Sequence, residues 1–359
     1  MKQNITLPSN AATVTSLVLP EQLAQQAADA VRELLAEAAA ANTTRSYATA
    51  LRYWAGWHQG RYGVELALPV SEAVVIQFLV DHIQRKSKTV LVSELPPALD
   101  KTLVVAGLKA KVGPLKLSTT VQRVAVLSTA HKLKRLANPC ELPSVRTLLS
   151  RARRASVKRG ERPTKKTAIT RAELEAMLAT CDDSLQGLRD RALLCFGFAS
   201  GGRRRSEIAA ADMRDLRKVG DDGYIYRLEY SKTQQAGVKA DSTPDKPILG
   251  RSAEALTTWL EAAEIREGAI FRRTWNDRVG PALLPGSVAA IVKRRAQLAG
   301  LEGDFGAHSL RSGFVTEAGK QGVPLPAVMA MTEHRSVASV IGYFQAGAAE
   351  DNPAARLLK

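Results

Sequence analysis

Cysteine is scarce in this chain, three in 359 residues. Cys140, Cys181 and Cys195 are odd in number and form no C-x-x-C pair, which argues against a disulfide scaffold and against a cysteine-built zinc site. Buried thiols in a reducing compartment are expected instead. Aromatic residues make up 5%, too few for an extended surface on which single-stranded bases stack. No apolar run approaches the ~20 residues that a membrane helix needs. The opening stretch, MKQNITLPSN, lacks the apolar core of a secretion signal. A cytoplasmic protein without a membrane partner is expected.

Acids are the other shortage: 35 against 51 Lys and Arg, a formal charge of +16. The excess is uneven. Between Lys101 and Arg171 stand eighteen Lys or Arg and two acids, Glu141 and Glu161. Such clustering is the footprint of a polyanion partner, and no basic amphipathic anchor or lipidation signal points to a lipid surface. Double-stranded DNA is the expected partner, and with it a nucleoid-associated location.

The chain divides by composition. Residues 1–20 are polar, hold Pro8 and Pro20, and read as flexible. Residues 21–157 read as a helical domain, with helices over Glu21–Ala41, Thr44–Gly60, a stretch capped by Ser71, Ser118–Leu136 and Ser144–Val157. The part from Lys86 to Lys116 has a Pro96-Pro97 break and a β-branched run, and reads as a long connection whose order stays open. Residues 158–167, KRGERPTKKT, have no apolar side chain and form a basic linker. Lys158, Arg159, Arg162, Lys165 and Lys166 are its candidate DNA-backbone contacts. Residues 168–345 read as a second domain, mostly helical with a small β-sheet. It opens on the capping box Thr170-x-x-Glu173. One helix runs from about Gly187 to Ala199 and stops at Gly201-Gly202. Alternation along Tyr224, Tyr226, Leu228 and Tyr230 marks a strand, and helices resume near Ser252, Ser287, His308, Leu325 and Ser336. Residues 346–359 form a tail in which Pro353 can start a short helix carrying Leu357 and Leu358.

Four segments of the second domain concentrate side chains suited to phosphate chemistry: GGRRRSEI (201–208), Tyr230-Ser-Lys232, AHSLRSG (307–313) and TEHRSVASVIGYF (332–344). Singly, each has a plain explanation as a solvated face, a surface lysine, a structural histidine or a packed tyrosine. As a set they fit one reaction. A phosphodiester under attack gathers charge on its non-bridging oxygens, which two guanidiniums can grip while staying charged at any working pH. His308 and Arg311 are three apart and share a helix face. A tyrosine hydroxyl can attack phosphorus, and a lysine at a strand tip can protonate the leaving oxygen. Neither a carboxylate cluster for Mg²⁺ nor a Cys/His zinc spacing is present, so no cofactor and no metal is expected.

This pattern resembles the tyrosine recombinase, or phage integrase, family. Its G-x-R-x-S-E-like box matches Gly202 to Glu207, which assigns the first arginine to Arg204 and the companion acid to Glu207. Its hairpin lysine falls on Lys232. Its H-x-L-R box is His308-Ser309-Leu310-Arg311, and its G-H-[RS]-S segment with the following nucleophile is His334-Arg335-Ser336 and Tyr343. Arg203 and Arg205 remain open as one-residue alternatives to Arg204, and Lys239 as an alternative to Lys232. The family's usual glycine before the second histidine is here Glu333. The helical domain, with Thr44-x-x-Tyr47, Trp54 and Trp57, is similar to the family's core-binding (SAM-like) domain.

The resemblance implies a two-domain clamp on duplex DNA, closest to the simpler Cre-like or Xer-like recombinases. It also implies a specific recombination site, cleavage and rejoining through a 3′-phosphotyrosine and a Holliday junction without metal or ATP, and self-association to dimer and tetramer on DNA. The tail then docks on a neighbouring protomer. Two other readings use the same residues: a DNA-binding protein without catalysis, and a type IB topoisomerase-like relaxing enzyme.

Overall fold

The computed structural model describes residues 41–161, 165–220, 223–228, 244–276 and 278–343. Lys232, Lys239, Arg162, the tail 346–359 and nearly all of the expected first helix lie outside them. The chain separates into two compact units, Met1–Pro163 and Thr164–Lys359, a division that falls within the basic segment 158–167.

The first unit is built on helices α1 (Ala41–Tyr62), α2 (Glu72–His82), α3 (Pro97–Val105), α4 (Leu117–Leu133) and α5 (Pro143–Lys158). Helical spacing along α1 brings Tyr53, Trp54 and Trp57 to one buried stripe. Trp54 stacks on Phe78 of α2 at 3.7 Å between ring centroids, and Trp57 meets the same ring edge-on at 5.0 Å. Both indoles keep a hydrogen bond inside the core, Trp54 to the Arg123 carbonyl and Trp57 to the Asp81 carboxylate. Ser71 caps α2 by accepting from the Val74 N–H.

The connection over 86–116, whose order the sequence left open, is ordered. It holds an antiparallel hairpin, β1 (Arg85–Ser87) with β2 (Val90–Val92), and the helix α3. The Pro96-Pro97 pair starts that helix rather than breaking one, because a proline at the first helical position has no amide hydrogen to lose. The β-branched run is carried into the helix by Leu99 and Leu103, both buried in the core.

The second unit contains α6 (Arg171–Ala179), α7 (Leu185–Ala199), α8 (Arg205–Ala209), β3 (Leu216–Val219), β4 (Gly223–Arg227), β5 (Asp245–Leu249) and α9 (Arg251–Ala262). A second hairpin follows, β6 (Arg272–Trp275) with β7 (Arg278–Ala282), then α10 (Pro285–Leu298), α11 (Ala307–Lys320), α12 (Leu325–Thr332) and α13 (Val337–Tyr343). The Thr170–Glu173 capping box forms at the head of α6. Strands β3, β4 and β5 make one antiparallel sheet in that order, with Tyr224 opposite Ile248. Tyr224, Tyr226 and Leu228 are buried while Arg227 is exposed, as the alternation implies. Neither β3 nor the β6–β7 hairpin is legible in the sequence. They are short, and Leu216–Val219 and Arg272–Trp275 each carry two basic residues, so no apolar alternation marks them.

The main core of this unit centres on Leu193, Phe196, Ile208, Leu256, Trp259 and Leu310. A smaller one, Val315, Ala318, Val328 and Val340, with Tyr343 packed beside it, fastens α11, α12 and α13 together. All three cysteines are buried thiols, and burial pushes Cys140 up to about 12 and Cys195 to about 11. Among the described residues no helix is long and apolar enough to cross a membrane.

Candidate active site

The helix α7 ends at Ala199, and the chain then turns through Gly201 and Gly202 with φ of +96° and +69°. Both the conformation and the space demand glycine. A Cβ on Gly202 would stand 2.3 Å from the Arg311 Cα, and one on Gly201 would stand 2.2 Å from the Met331 carbonyl oxygen. This flush contact seats the arginine box directly on α11 and α12.

The three consecutive arginines then separate. Arg203 is buried and donates to the Met331 carbonyl at 2.5 Å. Arg205 is exposed. Arg204 precedes the first turn of α8, where Glu207 accepts from its backbone N–H at 3.0 Å and from its Nη1 at 2.6 Å. Burial alone would raise the Glu207 carboxyl, but the adjacent charges of Arg203 and Arg204 hold it below the ordinary range. Glu207 therefore stays ionised and fixes the direction of the Arg204 fork.

Arg311 has no exposed surface. Its guanidinium donates to the carbonyls of Gly202 and Thr332, and its Nε and Nη2 lie 3.4 Å and 3.3 Å from His334 Nε2. Desolvation, with the positive charges of Arg204 and Arg203, lowers its affinity for a proton, yet it remains cationic at neutral pH. His334 is pushed down to about 4, first by desolvation and then by the charges of Arg311, Arg204 and Arg203. It is a neutral imidazole at pH 7. The Thr332 hydroxyl spends its hydrogen on the Val328 carbonyl, so it accepts from His334 Nδ1 at 2.7 Å. That network assigns the proton to Nδ1 and leaves the Nε2 lone pair facing Arg311.

Tyr343, at the end of α13, lies over this arrangement. Its ring centroid is 5.1 Å from that of His308, 4.9 Å from that of His334 and 5.6 Å from the Arg311 guanidinium. His308 is exposed and Tyr343 half-buried. Segments separated by more than a hundred residues thus bring Arg204, Glu207, His308, Arg311, His334 and Tyr343 to one place. The Arg311 guanidinium is fully covered.

Among the candidate linker contacts, Lys158 is exposed, Arg159 is held by Glu161 at 2.6 Å, and Lys165 donates to the Gly342 carbonyl at 2.9 Å. Lys166 pairs with Asp304. Among the described residues no cluster of three or more His, Cys, Asp or Glu side chains has an arrangement that could hold a metal ion.

Two charged residues at the site are not evident from the sequence. Lys246 of β5 has a fully buried side chain, donates to the Ala330 carbonyl at 2.7 Å and stands 3.3 Å from Glu333 Oε1. Burial lowers it to about 8 against the pull of Glu333. Strand alternation puts Lys246 on the same inward face as Ile248, a signal that could have flagged it. Arg203, by sequence only an alternative to Arg204, is a buried cap on α12. Glu333 has φ 57° and ψ 36°, the left-handed region, which explains why the family favours glycine there and costs a non-glycine residue about 1–2 kcal/mol.

Residues 167–350 match the model of the phage integrase family. An integrase/recombinase xerD homolog of Selenomonas ruminantium is 34% identical over 246 residues, covering 65% of this chain and 69% of that protein. Among solved structures, a lambda integrase dimer bound to a core site superposes with a TM-score of 0.53 at 17% identity, over 90% of this chain and 95% of that one. The Tn1549 transposon integrase in complex with transposon right-end DNA gives 0.52 at 14% identity, over 89% and 95%. With the arginine box, the H-x-L-R helix and the tyrosine helix folded into one cluster, the chain belongs to the phage integrase family, the tyrosine recombinases.

Proposed function

We infer that the protein is a site-specific recombinase of duplex DNA that works through a covalent link to Tyr343. One observation carries the reading: two guanidiniums, two imidazoles and a tyrosine hydroxyl, from separate segments, surround one spot, and among the described residues Glu207 and Glu333 supply the opposing charge. Such a surplus of positive charge suits a phosphate in transit to a more negative transition state.

In this mechanism the Tyr343 hydroxyl passes its proton to the adjacent His308 imidazole as its oxygen attacks the scissile phosphorus. A bond forms between them as the bond to the 5′ oxygen breaks, and Lys232 protonates that oxygen. The products are a 3′-phosphotyrosyl strand and a free 5′ hydroxyl. Arg204 and Arg311 neutralise the non-bridging oxygens, Glu207 orients Arg204, and His308 and His334 complete the cradle. Attack by a 5′ hydroxyl of the partner strand reverses the chemistry through a Holliday junction, so phosphodiester energy is conserved and no nucleotide is consumed. The domains divide the work: 21–157 grips the duplex, 158–167 follows its backbone, 168–345 reacts, and the tail 346–359 links protomers into dimers and a tetramer on a specific site. Neither non-catalytic DNA binding nor general DNA relaxation is favoured by the family to which the chain belongs.

The test is to trap covalent protein–DNA adducts from fragmented genomic DNA in EDTA and sequence the attached ends. A single recurrent sequence joined through its 3′ end is expected. Adducts without sequence preference would favour relaxation, and an absolute need for Mg²⁺ in cleavage would overturn the cation-only mechanism.

A further inference from the structure

The turn that presents His334 is fastened by three buried cations. Successive carbonyls at the end of α12 each receive one from a different element: Ala330 from Lys246 of β5, Met331 from Arg203, and Thr332 from Arg311 of α11. A helix C-terminus exposes unpaired carbonyls and the negative end of its dipole, so cations are favoured there. The next residue, Glu333, closes the helix with its N–H on the Met329 carbonyl and turns its side chain inward, leaving it 5% exposed. Among the described residues neither carboxylate oxygen has a hydrogen bond of good geometry. The attraction of Lys246, with the nearby charge of Arg203, is what offsets its desolvation.

A turn alone would be served by glycine. Here the chain accepts a left-handed glutamate and a buried carboxylate at the residue before His334, and meets it with a lysine from the sheet. Resting on the recombinase reading, we propose that Glu333 and Lys246 form a buried charge link that ties β5 to the turn carrying His334 and so positions that histidine over the reacting phosphate. Both are positioning residues. Lys246 has no exposed surface from which to touch DNA.

The full-length protein, labelled with ¹⁵N-histidine, provides the test. It holds five histidines, and His334→Gln identifies the relevant ring signals. Lys246→Met strands the Glu333 charge; it is expected to shift the His334 ring signals and to slow single-turnover cleavage of a bound suicide substrate by on the order of 30-fold, the scale of a small misplacement at a reactive site. DNA affinity should stay nearly unchanged. Glu333→Gln, a milder change that keeps the shape, should shift the same signals and slow cleavage by roughly tenfold. The double variant Lys246→Met/Glu333→Gln removes both charges and should recover most of the rate lost in Lys246→Met. Unmoved His334 signals in both single variants, or no recovery in the double variant, would overturn the proposal. A wild-type protein that forms no adduct would sink the recombinase reading instead, while the ring signals still decide the charge link.

Discussion

In the first unit, Arg123 lies 3.3 Å from the ring centroid of Tyr53, whose hydroxyl meets His82 Nε2 at 2.7 Å. In the second, Arg311 lies 5.6 Å from the ring of Tyr343, beside His334. Both histidines are pushed down to about 4, with burial the leading cause. The same residue types therefore occur twice in similar company. What differs is access and charge balance. Tyr53 is fully enclosed, and burial raises its hydroxyl to about 12. Among the described residues, the buried charges of its unit are Asp81 and Asp100 against Lys109 and Arg123, an even set. In the cluster that Tyr343 joins, Arg203, Arg204 and Arg311 stand against Glu207, with the Lys246–Glu333 pair beside Arg203, and both Tyr343 and His308 reach solvent. A sealed group whose buried charges balance consolidates a core. A cluster with surplus positive charge and two side chains reaching solvent suits an anion.

The largest effect that separates the two should come from removing one hydroxyl from each. Tyr343→Phe is expected to abolish covalent adducts on a suicide substrate while leaving duplex affinity unchanged. Tyr53→Phe should leave adduct formation intact and lower unfolding stability by about 1 kcal/mol, the net value of a hydrogen bond. Adducts surviving in Tyr343→Phe would move the nucleophile elsewhere.

The arginines come next. Arg204→Ala or Arg311→Ala should slow cleavage by on the order of 10²–10³-fold, as loss of a positioned donor does, with site binding retained. Arg123→Ala should instead destabilise the first unit and leave the cleavage rate per folded molecule unaltered. Near-wild-type cleavage in the two site variants would remove their assigned roles.

Acid sharpens the comparison through His82. Its folded-state value of about 4 lies below the 6.5 of an unhindered imidazole, because burial penalises the charged form. The unfolded chain therefore binds the extra proton first. Stability is full above pH 6.5, falls as pH drops toward 4, and levels off below that, a loss of about 3 kcal/mol. Chemical denaturation across this range should show the slope, and His82→Gln should reduce it, with His334 still contributing in the same direction; an identical slope in the variant would assign it to another group.

The smallest expected effect is on salt dependence. Changing Lys158, Arg159, Lys165 and Lys166 to Ala should flatten the plot of log affinity against log salt by at most about 0.9 for each phosphate that is no longer neutralised. Three of these four are already engaged with Glu161, Gly342 or Asp304, so Lys158→Ala alone should account for a disproportionate share. A slope unchanged in the quadruple variant would mean that this segment does not touch phosphate.

Much of the helical framework was legible in the residues. The spacing over Thr44–Gly60 announced α1, Ser71 and the Thr170–Glu173 box announced helix starts, and the tyrosine-rich alternation announced β4. Such features are local, and local spacing reports them. The hairpins β1–β2 and β6–β7 escaped because their strands are short and none alternates: β1 and β6 carry charge, and β2 is a three-residue apolar run. Proline at the head of α3 misled for a related reason: the same residue that ends one helix can begin another.

The sequence by itself determined which side chains this protein has for phosphate chemistry, in which order, and hence its family, because those boxes are contiguous runs of residues. Only the tertiary structure separated Arg203, Arg204 and Arg205 into a buried cap, a member of the cluster and an exposed residue. It alone set Lys246 against Glu333, 87 positions further along the chain, and sealed Tyr53 while leaving Tyr343 open. Periodicity tells which face of an element is apolar. Which distant charges meet once those faces are buried depends on packing, and packing is where the burial that shifts His334 and Lys246 arises.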